Sequence, residues 1–332
     1  SDDLLGGSIS RNSTAKIHGT ANLLIAAAYN WENQRLRPYI TLTDQTNGES
    51  YRWDLGVYLP ETPMQVVGES PAVYEIEAYD KLIILDTPYG ASYRIAASTS
   101  YVTAVQTLLD AAGVVHSIDT TEAATTLPTD LVWEISDKNT YLSIVNDLLE
   151  AIGYVSLYTD RSGIFRSEPW TAPSGRSVVH HYLADSDETI VARMGASQDL
   201  FDVPNKWVFV RNNPDPGETL PSEGAGIYTV TNQSNGISSI DSRGRTKTRV
   251  LFLDAANHAS LVAIGDKIVE RDRHPSAVVQ VSSRTNPEHW HESTVKVTSS
   301  ELGYAAKTFT EEGWTLPLTG EQMEHELMET VT

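Results

Sequence analysis

One amphipathic helix is written twice in this chain, and that repeat limits what the middle of the sequence can fold into. Tyr101-Val-Thr-Ala-Val-Gln-Thr-Leu-Leu-Asp-Ala-Ala-Gly113 aligns with Tyr141-Leu-Ser-Ile-Val-Asn-Asp-Leu-Leu-Glu-Ala-Ile-Gly153. The apolar positions are Val102, Val105, Leu108, Leu109 and Ala112 in the first copy. In the second they are Leu142, Val145, Leu148, Leu149 and Ile152. Steps of three and four place each set on one stripe of a helix. Ser100 or Thr99 is expected to cap the first helix, and Asp137 or Asn139 the second. Gly113 and Gly153 stand where a chain leaves a helix through a left-handed residue. Each copy is followed by a strand-like run, and Leu131-Val-Trp-Glu-Ile135 lies between them. The expected unit is two helices packed on a short sheet. Neither helix carries a plausible catalytic group.

Segments on both sides of this unit are β-rich. On the N-terminal side, Ala15–Ala28 and Arg35–Thr43 are apolar runs, the second broken by Pro38. Asp44-Gln-Thr-Asn-Gly48 is a hairpin turn signal. Tyr51–Leu59 is expected to be the returning strand, closed by Pro60 and Pro63. Val73–Tyr79 alternates with period two, and Asp80–Asp86 follows it. Short strands at this spacing suggest a small barrel or sandwich. A second hairpin turns at Asp160–Gly163. Val178–Leu183, Thr189–Met194 and Val203–Arg211 are further strands, followed by a surface loop over Asn212–Gly226. A third long helix is expected over Asp254–Arg273, capped by Asp254 and stopped by Pro275. Strands then follow over Ala277–Arg284, Glu292–Ser299, Ala305–Thr310 and Met323–Val331. The two ends echo one another: Val57–Pro60 then Tyr74–Tyr79 resembles Leu316–Leu318 then Met323–Met328.

Composition removes several classes of function. The chain of 332 residues has no cysteine, so it holds no disulfide, thiolate metal site or cysteine nucleophile. Forty-four acids against 24 bases give a net charge of −20, opposite to the basic footprint of a nucleic-acid reader. The first residues lack the basic and apolar regions of a secretory signal. No stretch approaches the length of a membrane span.

The ionisable residues form few patterns. His289 and His291 have the spacing that places two imidazoles on one face of a strand, with His274 a possible neighbour. Two adjacent ligands make a poor metal site, so a polar hairpin tip is expected and no metal. His180 and His181 point opposite ways on a strand. Asp185, Asp187 and Glu188 lack the glycine and distant glutamate of a calcium loop. Nucleophile elbows, phosphate loops and His-Glu-x-x-His are absent from the sequence. Asn12-Ser-Thr14 and Asn232-Gln-Ser234 match the glycosylation pattern, which is frequent by chance. The seven tryptophans are spread about one per element, as core or interface anchors would be.

Several stretches in order resemble the tail-hub family of tailed bacteriophages, also called minor tail or baseplate-hub-like proteins. Trp31-Glu-Asn-Gln-Arg-Leu-Arg-Pro-Tyr39 with Leu55-Gly-Val-Tyr58 resembles the first-barrel signature, and Tyr74-Glu-Ile-Glu-Ala-Tyr-Asp-Lys-Leu82 its closing strand. Leu148–Tyr154, Asp160–Gly163 and Glu168-Pro169 resemble the insert and its hairpin. Val203-Pro-Asn-Lys-Trp-Val208 resembles the start of the second barrel, and Trp314–Glu324 the entry to its last strand.

This resemblance implies an α+β, mainly β chain with two small β-barrel domains and two α/β inserts. The expected boundaries are 1–95 for the first barrel and 96–175 for the two-helix insert. The second barrel takes 176–212 and 275–332, and 213–274 forms an insert with one helix. The implied role is a non-enzymatic tail-tip hub in the virion, assembled in the host cytoplasm. Its implied partners are two further copies in a homotrimer, a tail tube or distal tail protein, a central spike or fibre, and tape-measure protein in the lumen. No catalytic residue, cofactor, metal, specific nucleic-acid binding or membrane span is expected. A carbohydrate- or receptor-binding β module and a hydrolase with a carboxylate pair are the alternatives.

Overall fold

The computed structural model describes residues 3–26, 29–31, 34–66, 72–184, 196–197, 203–212, 226–236, 238–273, 278–319 and 322–329. The calls at Asp185–Glu188, at His274 and over most of Thr189–Met194 and Asn212–Gly226 lie outside them.

The N-terminal part is β1 (Leu4–Asn12), β2 (Gly19–Ile25), the hairpin β3 (Tyr39–Thr43) and β4 (Ser50–Asp54), then β5 (Tyr58–Val66) and β6 (Val73–Asp80). Strands β1, β2, β6 and β5 are neighbours in that order, all antiparallel. β1 carries two glycines and few β-formers, so its residues carry no strand signal. Gly7 explains one of them: a Cβ would lie 2.2 Å from the Asn22 carbonyl oxygen, so only glycine allows this approach of β1 to β2. The Tyr51–Leu59 strand divides in two. Gly56, at φ 106°, breaks it, and Pro60 and Pro63 fall inside β5 instead of closing it. Prolines fit there because β5 is an edge: among the described residues it pairs with β6 and, at Tyr58, bridges Leu36, with a bulge between Pro60 and Thr62. Asp80–Asp86 is not a strand: Leu82–Leu85 form a helical turn, α1, with Leu82 and Leu85 buried.

The doubled helices are α2 (Tyr101–Ala111) and α3 (Tyr141–Glu150), packed on each other. Ser100 caps α2 as expected. Thr140, not Asp137 or Asn139, caps α3 in a reciprocal box with Ser143. Gly113 and Gly153 are left-handed, at φ 69° and 73°. Short strands β7 (Tyr93–Ile95), β8 (His116–Ile118), β9 (Leu131–Trp133), β10 (Tyr158–Thr159) and β11 (Phe165–Ser167) form two small sheets beside them. Leu108, Leu109, Leu148 and Leu149 are at most 1 % exposed, in the core of this unit. Leu149→Ala is expected to cost about 2–5 kcal/mol in urea unfolding. A loss below about 1 kcal/mol would mean that this face relaxes around the gap.

Further along lie β12 (Val178–Leu183), β13 (Ala196–Ser197), β14 (Lys206–Arg211), β15 (Ile227–Thr231), α4 (Ile240–Arg243), β16 (Thr248–Leu253) and α5 (His258–Arg273). The Val203–Arg211 segment, expected in the second barrel, pairs elsewhere. β14 lies between β15, antiparallel, and β16, parallel, in a separate three-stranded sheet. The reason is its inward face: Trp207 and Phe209, both fully buried, pack with Leu261, Ile264 and Ile268 of α5. The cap of α5 also differs from expectation. Asn257 Oδ1 accepts from the Ser260 backbone N–H at 2.8 Å, three residues beyond Asp254.

The C-terminal strands are β17 (Val278–Ser283), β18 (Thr294–Ser299), β19 (Tyr304–Pro317) and β20 (Met323–Glu329). β19 joins the two β-rich parts. Its first half pairs with β18, its middle with β20, and residues 313–317 pair with Asn12–Ser8 of β1. Instead of two separate strand sets, the described residues therefore form one ten-stranded sheet, and no recorded pairing closes it. Its 14 residues let β19 serve two cores. Phe309 packs with Tyr182, Val279, Val281 and Leu327, whereas Trp314 and Leu316 pack with Ile9, Leu23 and Ile76. The echo between the chain ends has a structural counterpart, since β5–β6 and β19–β20 are both antiparallel neighbours.

Candidate functional site

The turn carrying His289-Trp290-His291 is where the parts of the molecule are wired together. It precedes β18 and is not a strand, so the two imidazoles do not share a face. Each enters a different buried cluster.

His291 enters a cluster between the first strands, the two-helix unit and this turn. Its ring stacks between His18, at 4.9 Å, and Tyr158, at 4.4 Å. Beside it, Trp290 lies between two guanidinium groups, Arg11 at 4.2 Å and Arg161 at 4.7 Å from the ring. The Trp290 indole N–H donates to the Thr159 carbonyl, and the Trp314 indole N–H to the Trp290 carbonyl. Arg161 donates to the carbonyls of Asp54, Pro287 and His289, tying the second hairpin turn to two loops. Arg11 is buried and pairs with Asp80 at 3.9 Å, an ionic contact too long for a hydrogen bond. Asp80 in turn accepts from the backbone N–H of Gly19 and of Leu82, each at 3.0 Å. Burial pushes the Asp80 carboxyl up and the Arg11 guanidinium down, and the mutual attraction only partly offsets it. Burial, reinforced by Arg11, lowers His18 to about 3. Burial first, with the neighbouring His18 and Arg11 adding to it, holds His291 well below its usual value.

His289 enters a cluster inside the last strands. Its Nδ1 is 2.8 Å from Glu311 Oε2, and His325 Nδ1 is 2.6 Å from Glu311 Oε1. Tyr182 Oη bonds His289 Nε2 at 2.6 Å and His325 Nε2 at 3.2 Å. Ser283 Oγ bonds His325 Nε2 at 2.7 Å and donates to the Arg284 carbonyl. Burial alone would raise Glu311, but the two imidazoles hold it below the usual carboxylate range. Burial lowers His325 against the pull of Glu311.

Ser283, His325 and Glu311 are aligned as nucleophile, base and orienting acid. All three are about 2 % exposed or less, so a substrate has no approach to the hydroxyl. This order serves the interior. Three further candidates among the described residues are tied into the fold. His180 packs edge-on against Tyr182, and His181 bonds Thr298. Asn232 is buried and bonds its own turn, which excludes it as a glycan acceptor in the fold. Trp207 and Trp314 are core anchors, as expected of dispersed tryptophans. Sequence reasoning missed Glu311, His325, Arg11 and Asp80. The one available signal was a charged residue at an inward position of an alternating strand, as His325 is in β20.

Of the exposed apolar side chains, Tyr39, Leu42 and Tyr51 lie on the β3–β4 hairpin and Val250 and Phe252 on β16. Among the described residues no helix is long and apolar enough to cross a membrane.

No family model and no curated protein matches this sequence. Solved structures do share its fold. The tail protein of Neisseria meningitidis is similar with a TM-score of 0.67 at 12 % identity, over 98 % of this chain and 92 % of that one. The 43 kDa tail protein of prophage MuSo2 from Shewanella oneidensis gives 0.61 at 14 % identity, over 98 % and 93 %. An E. coli component of the type VI secretion system, described as similar to bacteriophage T4 tail proteins, gives 0.55 at 9 % identity, over 99 % and 74 %. The chain shares the fold of these tail and type VI secretion proteins; it is α+β and mainly β, as the tail-hub resemblance implied, and no closed barrel is found among the described residues.

Proposed function

We propose that the protein is a structural hub at the tail tip of a bacteriophage. In this reading its two β-rich parts are the hub's two barrel domains and its helical units the two inserts. Three copies form a ring that matches a sixfold tail tube to a threefold spike or fibre. The observation that carries this is the likeness to phage tail proteins over nearly the whole length of both chains. The two β-rich parts joined through β19 suit a protein that must contribute two similar positions to one ring. The apolar strips on the β3–β4 hairpin and β16 offer contacts for neighbouring copies. The net charge of −20 suits a passage that DNA crosses without sticking, because like charge repels the duplex. Neighbours with this fold are tail and secretion-machine components, which favours assembly over catalysis.

Light scattering on the purified chain, with and without its tail-tube and spike partners, tests the reading. The expected mass is three times that of the chain, alone or on assembly. A protein that stays monomeric under both conditions, and is not threefold in the virion, would refute it.

A further inference from the structure

We propose that His289, His325 and Glu311 form a binding site for one divalent transition-metal ion of the zinc class. Two imidazoles and a carboxylate are a donor set that such ions accept. One ligand atom from each of the three residues lies within 4.8 Å of the others. Both Glu311 oxygens face an imidazole Nδ1, at 2.8 and 2.6 Å. These are hydrogen-bond distances. Tetrahedral ligands at ordinary zinc distances stand roughly 3.3 Å apart, so the side chains need to part by about half an ångström.

The groups behind the ligands fit an ion as well as they fit protons. Without metal, Nδ1–H of each ring donates to Glu311, and the Tyr182 O–H donates to His289 Nε2. The Ser283 O–H turns from the Arg284 carbonyl to His325 Nε2; with metal it can stay on that carbonyl. With metal, each Nδ1 lone pair turns to the ion and each Nε2–H must find an acceptor. Tyr182 Oη and Ser283 Oγ already stand at those nitrogens, and a hydroxyl accepts as readily as it donates. Each histidine keeps one proton and changes only its tautomer. Such outer contacts fix the orientation of metal-bound histidines.

Charge points the same way. Glu311 is 1 % exposed, and its two carboxylate oxygens face the two imidazoles. A buried carboxylate is costly unless positive charge stands beside it. A divalent ion supplies that positive charge. The donors come from β19, β20 and the turn before β18, so the site exists only once the last strands have paired.

The test uses the full chain, refolded with Zn2+ or Co2+ because the site is sealed, then freed of loose ion by a chelator wash. Elemental analysis should find about one equivalent per chain. The cobalt form should show visible d–d bands that the metal-free chain lacks. Glu311→Gln and the His289→Asn, His325→Asn double variant should lose the ion, whereas His181→Asn, on the outer strand, should keep it. Should these variants fail to fold, the wild type still decides. Its thermal midpoint should rise with Zn2+ and fall again on denaturation and refolding with chelator. NMR should show both rings changing from Nδ1–H to Nε2–H. Wild-type chain that takes up no ion on refolding holds only protons here, and the proposal fails. Metal retained in the folded Glu311→Gln and double-histidine variants would place the ion elsewhere and overturn it equally.

Discussion

Asp80→Ala is expected to destabilise the protein by about 3–5 kcal/mol, the range for breaking a buried charge pair from one side. Asp80 ends β6 at 1 % exposure and holds three groups at once. Its two oxygens accept from the backbone N–H of Gly19, at the start of β2, and of Leu82, at the start of α1. Its charge also faces Arg11 at 3.9 Å. Removing it leaves two N–H groups and one guanidinium unpaired in the interior, each carrying a desolvation cost. Arg11 is already poorly served. Its Nε and Nη1 have no hydrogen-bond partner, and besides Asp80 it has the Trp290 ring at 4.2 Å and the Thr159 carbonyl at 3.5 Å. Arg11→Met in the Asp80→Ala background should therefore recover part of the loss, since the stranded charge goes with it. A double-mutant cycle measured by urea unfolding checks this. A single-variant loss under about 1 kcal/mol, or strict additivity, would show that Asp80 does not organise this junction.

Acid should weaken the fold well above the pH at which its carboxylates protonate. His18, at about 3 in the fold, and His291 and His325, both lowered, are neutral when folded but take up a proton near 6.5 once unfolded. Below that value the unfolded chain binds more protons than the fold, so stability falls as pH falls. Each such histidine contributes at most about 1.4 kcal/mol per pH unit. Glu311, lowered in the fold, adds to the loss at more acidic pH. Asp80, Asp147 and Glu168, raised by burial, act in the opposite direction, as they protonate more easily when folded. Urea midpoints at pH 7.5 and 5 should differ clearly, and His18→Phe should flatten the slope by up to one proton. A midpoint unchanged across that interval would refute the assignment of neutral buried rings.

The sequence by itself determined whatever depends on neighbours within a turn or a pleat. The repeated three- and four-residue spacing placed Leu108, Leu109, Leu148 and Leu149 in a core, and that is where they lie. Gly113 and Gly153 end their helices left-handed because a side chain there would cost energy. The alternation in β6 and β20 marked two strands because their cores wet only one face. Tertiary structure decided what depends on distant pairing. β1 reads as a glycine-rich leader until β2 and β19 supply its hydrogen bonds. Val203–Arg211 has the same strand signal whichever sheet receives it, and Trp207 and Phe209 chose α5. His289 and His291 look like a pair on paper, yet their backbone is a turn, so one ring meets Glu311 and the other His18. Glu311 and His325 are separated by 14 residues and meet only because β19 and β20 are antiparallel neighbours. Strand register is set by the sum of many weak contacts across the sheet, and no local pattern contains that sum.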